Sequence, residues 1–281
     1  MQDMVPKKPE DEDKPPYRPG QEEIDASKAP LMDHLMELRQ RLIYALVGMA
    51  AGFAVCFYFA DNLFLILVQP YLWAVKWATG QDHVKLIMTS APEYFFTQLK
   101  LALFGATCLS FPNIATQVYK FVAPGLYKNE KAAFLPYLIA TPILFTLGGL
   151  IVYFIVTPFM MFFFVKMQVT TGPINIILEQ RVADYLSLIM TLILGFGICF
   201  QLPVVLSLLA RAGLVNGDQL RSARKYAIVA IAAAAAVLSP PDPFSMLAMM
   251  APTMLLYEGS IFVVDRIAKA QAAKAAKAST T

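Results

Sequence analysis

The sequence predicts an all-α integral membrane protein with six transmembrane helices. The first observation is composition: 58% of the 281 residues are hydrophobic and only 15% are charged, whereas soluble domains carry about 25% charged residues. The second is the succession of long apolar stretches, because about 20 apolar residues are needed to cross a bilayer core of about 30 Å. We place these stretches at about 42–60, 99–119, 132–156, 183–210, 225–238 and 244–264.

Polar tails flank the apolar part of the chain. Residues 1–30 are rich in Pro and in charges of both signs, which predicts a disordered tail without a cleavable signal peptide. Residues 31–265 then form the membrane domain. Residues 266–281 carry Lys269, Lys274 and Lys277 among alanines and predict a basic tail, which either touches anionic lipid or is simply solvated.

The fifth and sixth spans are short. The fifth is Ala-rich and is stopped by Ser239-Pro-Pro-Asp-Pro243, so its apolar part reaches only about 20 Å. The sixth is interrupted by Glu258. Two neighbouring short spans indicate local bilayer thinning or burial against partner helices. The other interpretation is a tight helix pair within the chain.

The basic residues predict the orientation. Of the 23 Lys and Arg residues, all but Lys76, Lys85, Lys100, Lys166 and Arg181 fall on the side of the membrane that holds both termini. Since positive charge is concentrated in cytoplasmic segments, both termini are expected in the cytoplasm.

The outer loops have some structure of their own. Trp73 and Trp77 stand one helical turn apart in the first outer loop, which favours an interfacial helix at the outer headgroups. The aromatic run 162–164 follows the third span, so that helix is expected to continue past the bilayer.

Residues suited to catalysis or metal binding are scarce. His34 and His83 both lie outside the spans, and Cys56, Cys108 and Cys199 each lie within an apolar run. Neither a nucleophile–base pair nor a ligand cluster is visible. The sequence therefore predicts no enzyme, no metal or other cofactor, and no nucleic-acid partner.

The stretch 33–42 joins the polar tail to the first span. Leu35, Leu38 and Leu42 form an apolar stripe at helical spacing, and the charged Glu37, Arg39 and Arg41 lie beside it. This pattern fits a basic anchor that flanks a span. It also fits a functional amphipathic segment that holds a carboxylate at the membrane boundary.

The first inner loop, residues 119–131, is the second notable stretch. Pro124-Gly125 predicts a turn, Phe121 supplies aromatic surface, and Glu130 is the acid of the loop. Glu130 is either a binding group or an ordinary acidic residue near the start of the third span.

Two polar residues lie within spans. Glu258 is a candidate functional acid in the last span, or a carboxyl paired inside the bundle. Gln201, in Phe200-Gln-Leu-Pro203, is suited to hydrogen bonding across helices or to a guest segment.

Together these stretches resemble the TatC family, the receptor subunits of the twin-arginine protein translocase. The resemblance covers about 31–265 and rests on four motifs. They are His34-Leu-x-Glu37-Leu-Arg39-x-Arg41-Leu, the loop from Gln117 to Glu130, Phe196-Gly-x-x-Phe200-Gln-Leu-Pro203, and Ser239-Pro-Pro-Asp242.

This resemblance implies a concave bundle in the bacterial inner membrane, in a complex with other copies. It implies binding of twin-arginine signal peptides, recruitment of the single-span subunits TatB and TatA, and export driven by the protonmotive force. Glu37 and Glu130 would bind the arginines, Phe121 would lie beside them, and Arg39 would orient the site. Pro124, Asp242 and Glu258 would serve structure or partner contacts. Some family members have glutamate at position 201, so Gln201 implies hydrogen bonding there rather than charge.

A proton-coupled secondary transporter or channel that uses Glu258 is the alternative from another class. Such proteins usually show internal repeats and several acids near the midplane, and neither is evident in the sequence. A purely structural membrane scaffold is a third interpretation.

Overall fold

The structure is a computed structural model that describes residues 21–126, 135–168, 177–239 and 243–278. Within these ranges the regular elements are helices apart from two short strands. In chain order the elements are α1 (Gln21–Tyr58), α2 (Ala60–Thr79), β1 (Leu86–Ile87), α3 (Glu93–Leu126), α4 (Leu135–Ile151), a π-helical turn (Val152–Val156), α5 (Thr157–Lys166), β2 (Gln180–Arg181), α6 (Val182–Cys199), α7 (Leu202–Arg211), α8 (Gly217–Leu238) and α9 (Pro243–Ala278).

Within the described residues, five helical segments are long and apolar enough to cross a membrane. They are His34–Tyr58, Glu93–Phe121, Pro136–Lys166, Val182–Arg211 and Ser245–Gln271. These match the predicted first, second, third, fourth and sixth spans. α8, which holds the predicted fifth span, is not among them, because its first half carries Asp218, Arg221, Arg224 and Lys225. A helical, multi-pass membrane protein is confirmed, and the sixth crossing stays a prediction.

The long terminal helices run into the predicted tails. α1 begins at Gln21, so residues 21–30, which the composition places in a disordered tail, are helical. α9 continues to Ala278, well into the basic tail predicted over 266–281.

α1 and α3 pack against each other along a seam of small residues. Ser110 Oγ donates to the carbonyl oxygen of Gly48 at 2.9 Å, and Asn113 Nδ2 donates to that of Tyr44 at 3.1 Å. A Cβ at Gly52 would lie 2.8 Å from Ser110 Oγ. Glycine therefore lets the two backbones approach closely, as in other membrane helix pairs. We name the end of the bundle that holds Glu37 and Phe121 the inner end, and the end that holds β1 and β2 the outer end.

The third span is a long composite helix. α4, the π turn and α5 follow one another without a break, so the helix of the third span continues through the aromatic run 162–164. Its 31-residue apolar segment is about 46 Å long at 1.5 Å per residue, which exceeds the bilayer core.

The fourth span is broken at Phe200 and Gln201, between α6 and α7. Pro203 lies in the first turn of α7. Proline has no backbone N–H, so it cannot continue the α-helical hydrogen bonding to the carbonyl of Cys199, where α6 ends. The break presents the side chain of Gln201 at the inner half of the bundle.

α2 forms part of the core at the outer end. Its helical form is as predicted, but Leu67, Tyr71 and Ala74 are buried, so one face packs inside the protein rather than lying on the headgroups. Trp73 stacks on Phe154, with ring centroids 5.7 Å apart.

A proline in α2 is compensated by a tyrosine from the third span. Pro70 cannot donate to the carbonyl oxygen of Ile66, four residues earlier in the helix. The hydroxyl of Tyr153 donates to this oxygen at 2.8 Å. The carbonyl group that Pro70 leaves free in α2 is therefore satisfied by a side chain from the π turn.

The two outer loops are tied together. β1 pairs with β2 in parallel, with Leu86 opposite Gln180 and Ile87 opposite Arg181. Arg181 Nη2 also lies 3.3 Å from a carboxylate oxygen of Glu93 at the start of α3. These contacts join segments about 90 residues apart and cover the outer end.

α8 and α9 form an antiparallel pair. The hydroxyl of Tyr257 donates to the carbonyl oxygen of Leu220 at 2.8 Å. Arg221 forms an ion pair with Asp265 at the inner end of the same interface. Asp242, predicted at the outer turn between these helices, lies outside the described residues.

Candidate functional site

The carboxylate of Glu37 is held on α1 at the inner end. Arg41, one helical turn further along, places Nη2 3.1 Å from Glu37 Oε1. The side chain of Glu37 is 32% exposed, so the ion pair does not enclose it. This contact engages one of the two carboxylate oxygens of Glu37.

The stretch that carries Glu37 touches the end of α3. The ring of His34 stacks on the ring of Phe121, with centroids 4.3 Å apart and an interplanar angle of 19°. His34 precedes Glu37 by three residues and therefore lies on a neighbouring part of the same helical face. Two motifs far apart in sequence meet at the inner end.

The inner loop differs from its prediction. The turn predicted at Pro124-Gly125 is wrong, because α3 continues through these residues to Leu126. Glycine and proline break exposed helices, but helices that are supported by their neighbours tolerate both. Glu130 lies four residues beyond the end of α3 and outside the described residues.

Arg39 is exposed on α1. The resemblance assigns the orienting role to Arg39. Within the part of the chain that the structure describes, the guanidinium paired with Glu37 is that of Arg41.

Gln201 lies in a polar chain that crosses three segments. Its Nε2 donates to the carbonyl oxygen of Thr141 on α4 at 3.0 Å. The hydroxyls of Thr141 and Tyr119 are 2.8 Å apart, which links the chain to α3. Gln201 Oε1 is buried without a hydrogen-bond partner in the described structure. Gln201 therefore bonds across helices and keeps one unused acceptor.

Glu258 is paired. Arg224 on α8 places Nη2 2.7 Å from Glu258 Oε2. This ion pair is compatible with a structural carboxyl, and a functional role of Glu258 stays a prediction. The contact fastens α8 to α9 and leaves both side chains partly exposed.

Sequence reasoning missed two features of the inner end. The pairing of Glu37 with Arg41 has a local signal, since a glutamate followed four residues later by a base commonly pairs on a helix. The stack of His34 on Phe121 has no local signal, because the two residues are on different helices.

The fold and the site together define a multi-pass helical membrane protein with an acidic group held at one end of its bundle. The family model described as Sec-independent protein translocase protein (TatC) matches residues 33–252. The chain belongs to the TatC family and is a subunit of a protein translocase.

Several relatives carry the same description. The TatC protein of Magnetococcus marinus is 42% identical over 235 residues, which cover 84% of this chain and 83% of that protein. That of Aquifex aeolicus is 38% identical over 234 residues, covering 83% and 94%. That of Escherichia coli (strain K12) is 32% identical over 233 residues, covering 83% and 87%.

A solved structure has the same fold. The crystal structure of a twin-arginine translocase receptor, TatC, superposes with a TM-score of 0.73 at 36% sequence identity. The match covers 84% of this chain and 99% of that one.

Proposed function

We propose that this subunit is the receptor for twin-arginine signal peptides of folded proteins, which it binds at the inner end. The observation that carries this proposal is the stack of His34 on Phe121. It joins the motif of Glu37 to the end of α3, from which the loop of Glu130 departs. Two acids that are distant in sequence would then serve one short peptide motif.

The chemistry of the ligand fits these residues. A guanidinium is planar and offers paired N–H donors, which match the two oxygens of a carboxylate. Glu37 is partly exposed and held in place by Arg41. Glu37 and Glu130 would each take one arginine, with Phe121 as the aromatic neighbour and Arg39 as a further orienting residue.

The apolar part of the signal peptide would lie in a concave groove near Gln201. Gln201 Oε1 is a buried acceptor without a described partner. A guest helix with a polar group at this depth could donate to it. Gln201 itself lies at the break between α6 and α7.

The proposal includes six crossings with both termini in the cytoplasm of a bacterium. α8 supports it, because it runs antiparallel to α9 and is fastened to it by Tyr257 and Arg224. An antiparallel partner of a membrane-crossing helix must itself traverse much of the bilayer. The exclusion of most basic residues from the outer loops points the same way.

α8 and α9 would bind the single-span subunits TatB and TatA, with Asp242 at the turn between them and Pro124 in a structural role. Exposed apolar side chains on α8 support this assignment: Val229 is 68% exposed and Val237 83% exposed. Several copies of the subunit would assemble with these partners, and the protonmotive force would drive export.

The first experiment measures binding of a fluorescent twin-arginine signal peptide to the purified protein in nanodiscs, with a twin-lysine peptide as control. Lysine keeps the charge but lacks the paired donors. Glu37→Gln and Glu130→Gln should each lower twin-arginine affinity about 10- to 100-fold, the value of a charge-assisted hydrogen bond. Glu179→Gln, at an exposed ion pair of the outer end, should leave affinity unchanged. Equal binding of both peptides, or full affinity in both variants, would refute the receptor site.

The partner assignment is tested by site-specific crosslinking in membranes. Photo-crosslinkers at Val229 and Val237 on α8 should capture TatA or TatB. A crosslinker at the exposed Leu65 on α2 is the matched control and should capture neither. Crosslinks that avoid α8 would overturn this part of the proposal.

A further inference from the structure

We propose that Arg41 is the positioning residue of Glu37 and that Gln117 on α3 holds Arg41 in place. This inference rests on the proposed signal-peptide site. It adds to that site two residues that do not themselves touch the peptide. The unit would fix the recognition carboxylate on α1 against the helix that carries Phe121.

The register of α1 on α3 places Arg41 opposite Gln117. Asn113 on α3 bonds to Tyr44 on α1, and Ser110 on α3 bonds to Gly48 on α1. The two helices are therefore antiparallel here, and each turn forward along α1 corresponds to one turn backward along α3. Continuing this register inward by one turn brings Arg41 level with Gln117. The stack of His34 on Phe121 continues it by a further turn or two.

The two side chains carry complementary unused atoms. Arg41 Nε and Gln117 Oε1 are both buried and both lack a hydrogen-bond partner in the described structure. The amide nitrogen of Gln117 is already engaged, since it donates to Asn113 Oδ1 at 3.3 Å. Its oxygen is therefore the remaining group, and it is an acceptor opposite a buried donor. Burying both unpaired is costly, so we infer that the two atoms pair with each other.

The geometry of Arg41 suits a positioning role. Its Nη2 contacts Glu37 Oε1 at 3.1 Å, while its Nε is directed away from solvent. If Nη2 contacts Glu37 and Nε contacts Gln117, the guanidinium is fixed, and Glu37 keeps its ion pair in only one rotamer. Glu37 would then present its carboxylate to an incoming guanidinium in one orientation, and less conformational entropy would be lost on binding.

The test is a double-mutant cycle with the twin-arginine peptide. Arg41→Gln should lower affinity about 5- to 10-fold, and Gln117→Met about 3-fold, because each loosens Glu37 without removing it. In a Glu37→Gln background, both changes should have an effect below about 2-fold. Gln40→Ala removes only the exposed hydrogen bond that Gln40 Nε2 donates to the hydroxyl of Tyr44, and it is the matched control. The twin-lysine peptide should respond less than the twin-arginine peptide.

Folding is monitored separately. The only two tryptophans, Trp73 and Trp77, lie in α2 at the outer end, so their fluorescence reports unfolding without sensing the inner end. Arg41→Lys should recover part of the affinity, since lysine reaches Glu37 but offers no second donor to Gln117.

The outcomes are distinguishable. The positioning role would be overturned if the losses of peptide affinity caused by Arg41→Gln and Glu37→Gln were additive in the double variant. A rise in affinity with Arg41→Gln would overturn it as well. If Glu37→Gln weakens binding while Arg41→Gln and Gln117→Met do not, only this inference fails. If Glu37→Gln itself leaves binding intact, the proposed receptor site fails as well.

Discussion

Glu37 at the inner end and Glu93 at the outer end are both held by an arginine, but their surroundings differ. The side chain of Glu93 is only 5% exposed, and one of its oxygens accepts from the backbone N–H of Thr89, the hydroxyl of Thr89 and Arg181. The side chain of Glu37 is 32% exposed, and its described ion pair is with Arg41 on its own helix.

The difference separates a structural acid from an acid suited to binding. Glu93 connects residues that are 88 positions apart and cannot move without opening the outer loops. The partner of Glu37 is four residues away, so a new ligand can approach its carboxylate without disturbing the fold. Burial and partner distance, rather than charge, distinguish the two roles.

The largest expected effect sharpens this comparison. Glu93→Ala removes the largely buried carboxylate that accepts from the backbone N–H and hydroxyl of Thr89 and from Arg181. It should lower the free energy of unfolding by about 2–4 kcal/mol. Thermal or chemical unfolding in detergent, followed by tryptophan fluorescence, measures it. Glu179→Ala, at the exposed ion pair with Lys85, should cost below about 0.5 kcal/mol. Equal costs for the two changes would show that the outer end does not depend on its buried acid.

A smaller effect is expected where Tyr153 caps α2. Tyr153→Phe leaves the carbonyl oxygen of Ile66 unpaired and should cost about 1–2 kcal/mol of unfolding free energy. Pro70→Ala restores a backbone N–H for that oxygen, so Tyr153→Phe should cost clearly less in the Pro70→Ala background. The same unfolding assay applies. A cost that persists in this background would mean that Tyr153 stabilises the protein through its aromatic contacts instead.

The smallest expected effect is on Glu37. An i,i+4 ion pair that is partly exposed contributes about 0.3–0.5 kcal/mol, so Glu37→Gln should leave the unfolding transition almost unmoved. Peptide affinity should nevertheless fall in the same sample. A loss of stability as large as that of Glu93→Ala would contradict the contrast between the two acids.

The inner end was largely predictable because its signals are local. The lengths of the apolar stretches located five of the helices that can cross a membrane, and the motif around Glu37 lies at the start of the first apolar segment. The pairing of Glu37 with Arg41 also follows from helical spacing. Phe121 could be singled out as aromatic surface, although its contact with His34 could not.

The outer end was less predictable because it depends on contacts between distant segments. Glu93 looks in the sequence like an ordinary polar residue before a span, and only its contact with Arg181 makes it a buried acid. α2 has the tryptophans of an interfacial helix, yet Tyr71 and Ala74 are buried against other helices. One local signal at the inner end also misled, because Pro124-Gly125 has the composition of a turn and α3 continues through it.

The π turn at Val152–Val156 determines which side chains of the helix that follows it face the core. A single added residue rotates everything that follows by about 100°, and here α4 faces α6 whereas α5 faces α2. Deleting one residue from the turn would move the buried Met160 to the exposed position of Phe159 and turn the exposed Phe159 toward the core. Among relatives, this segment should therefore tolerate substitutions far better than insertions or deletions, so that its length is inherited more strictly than its residues.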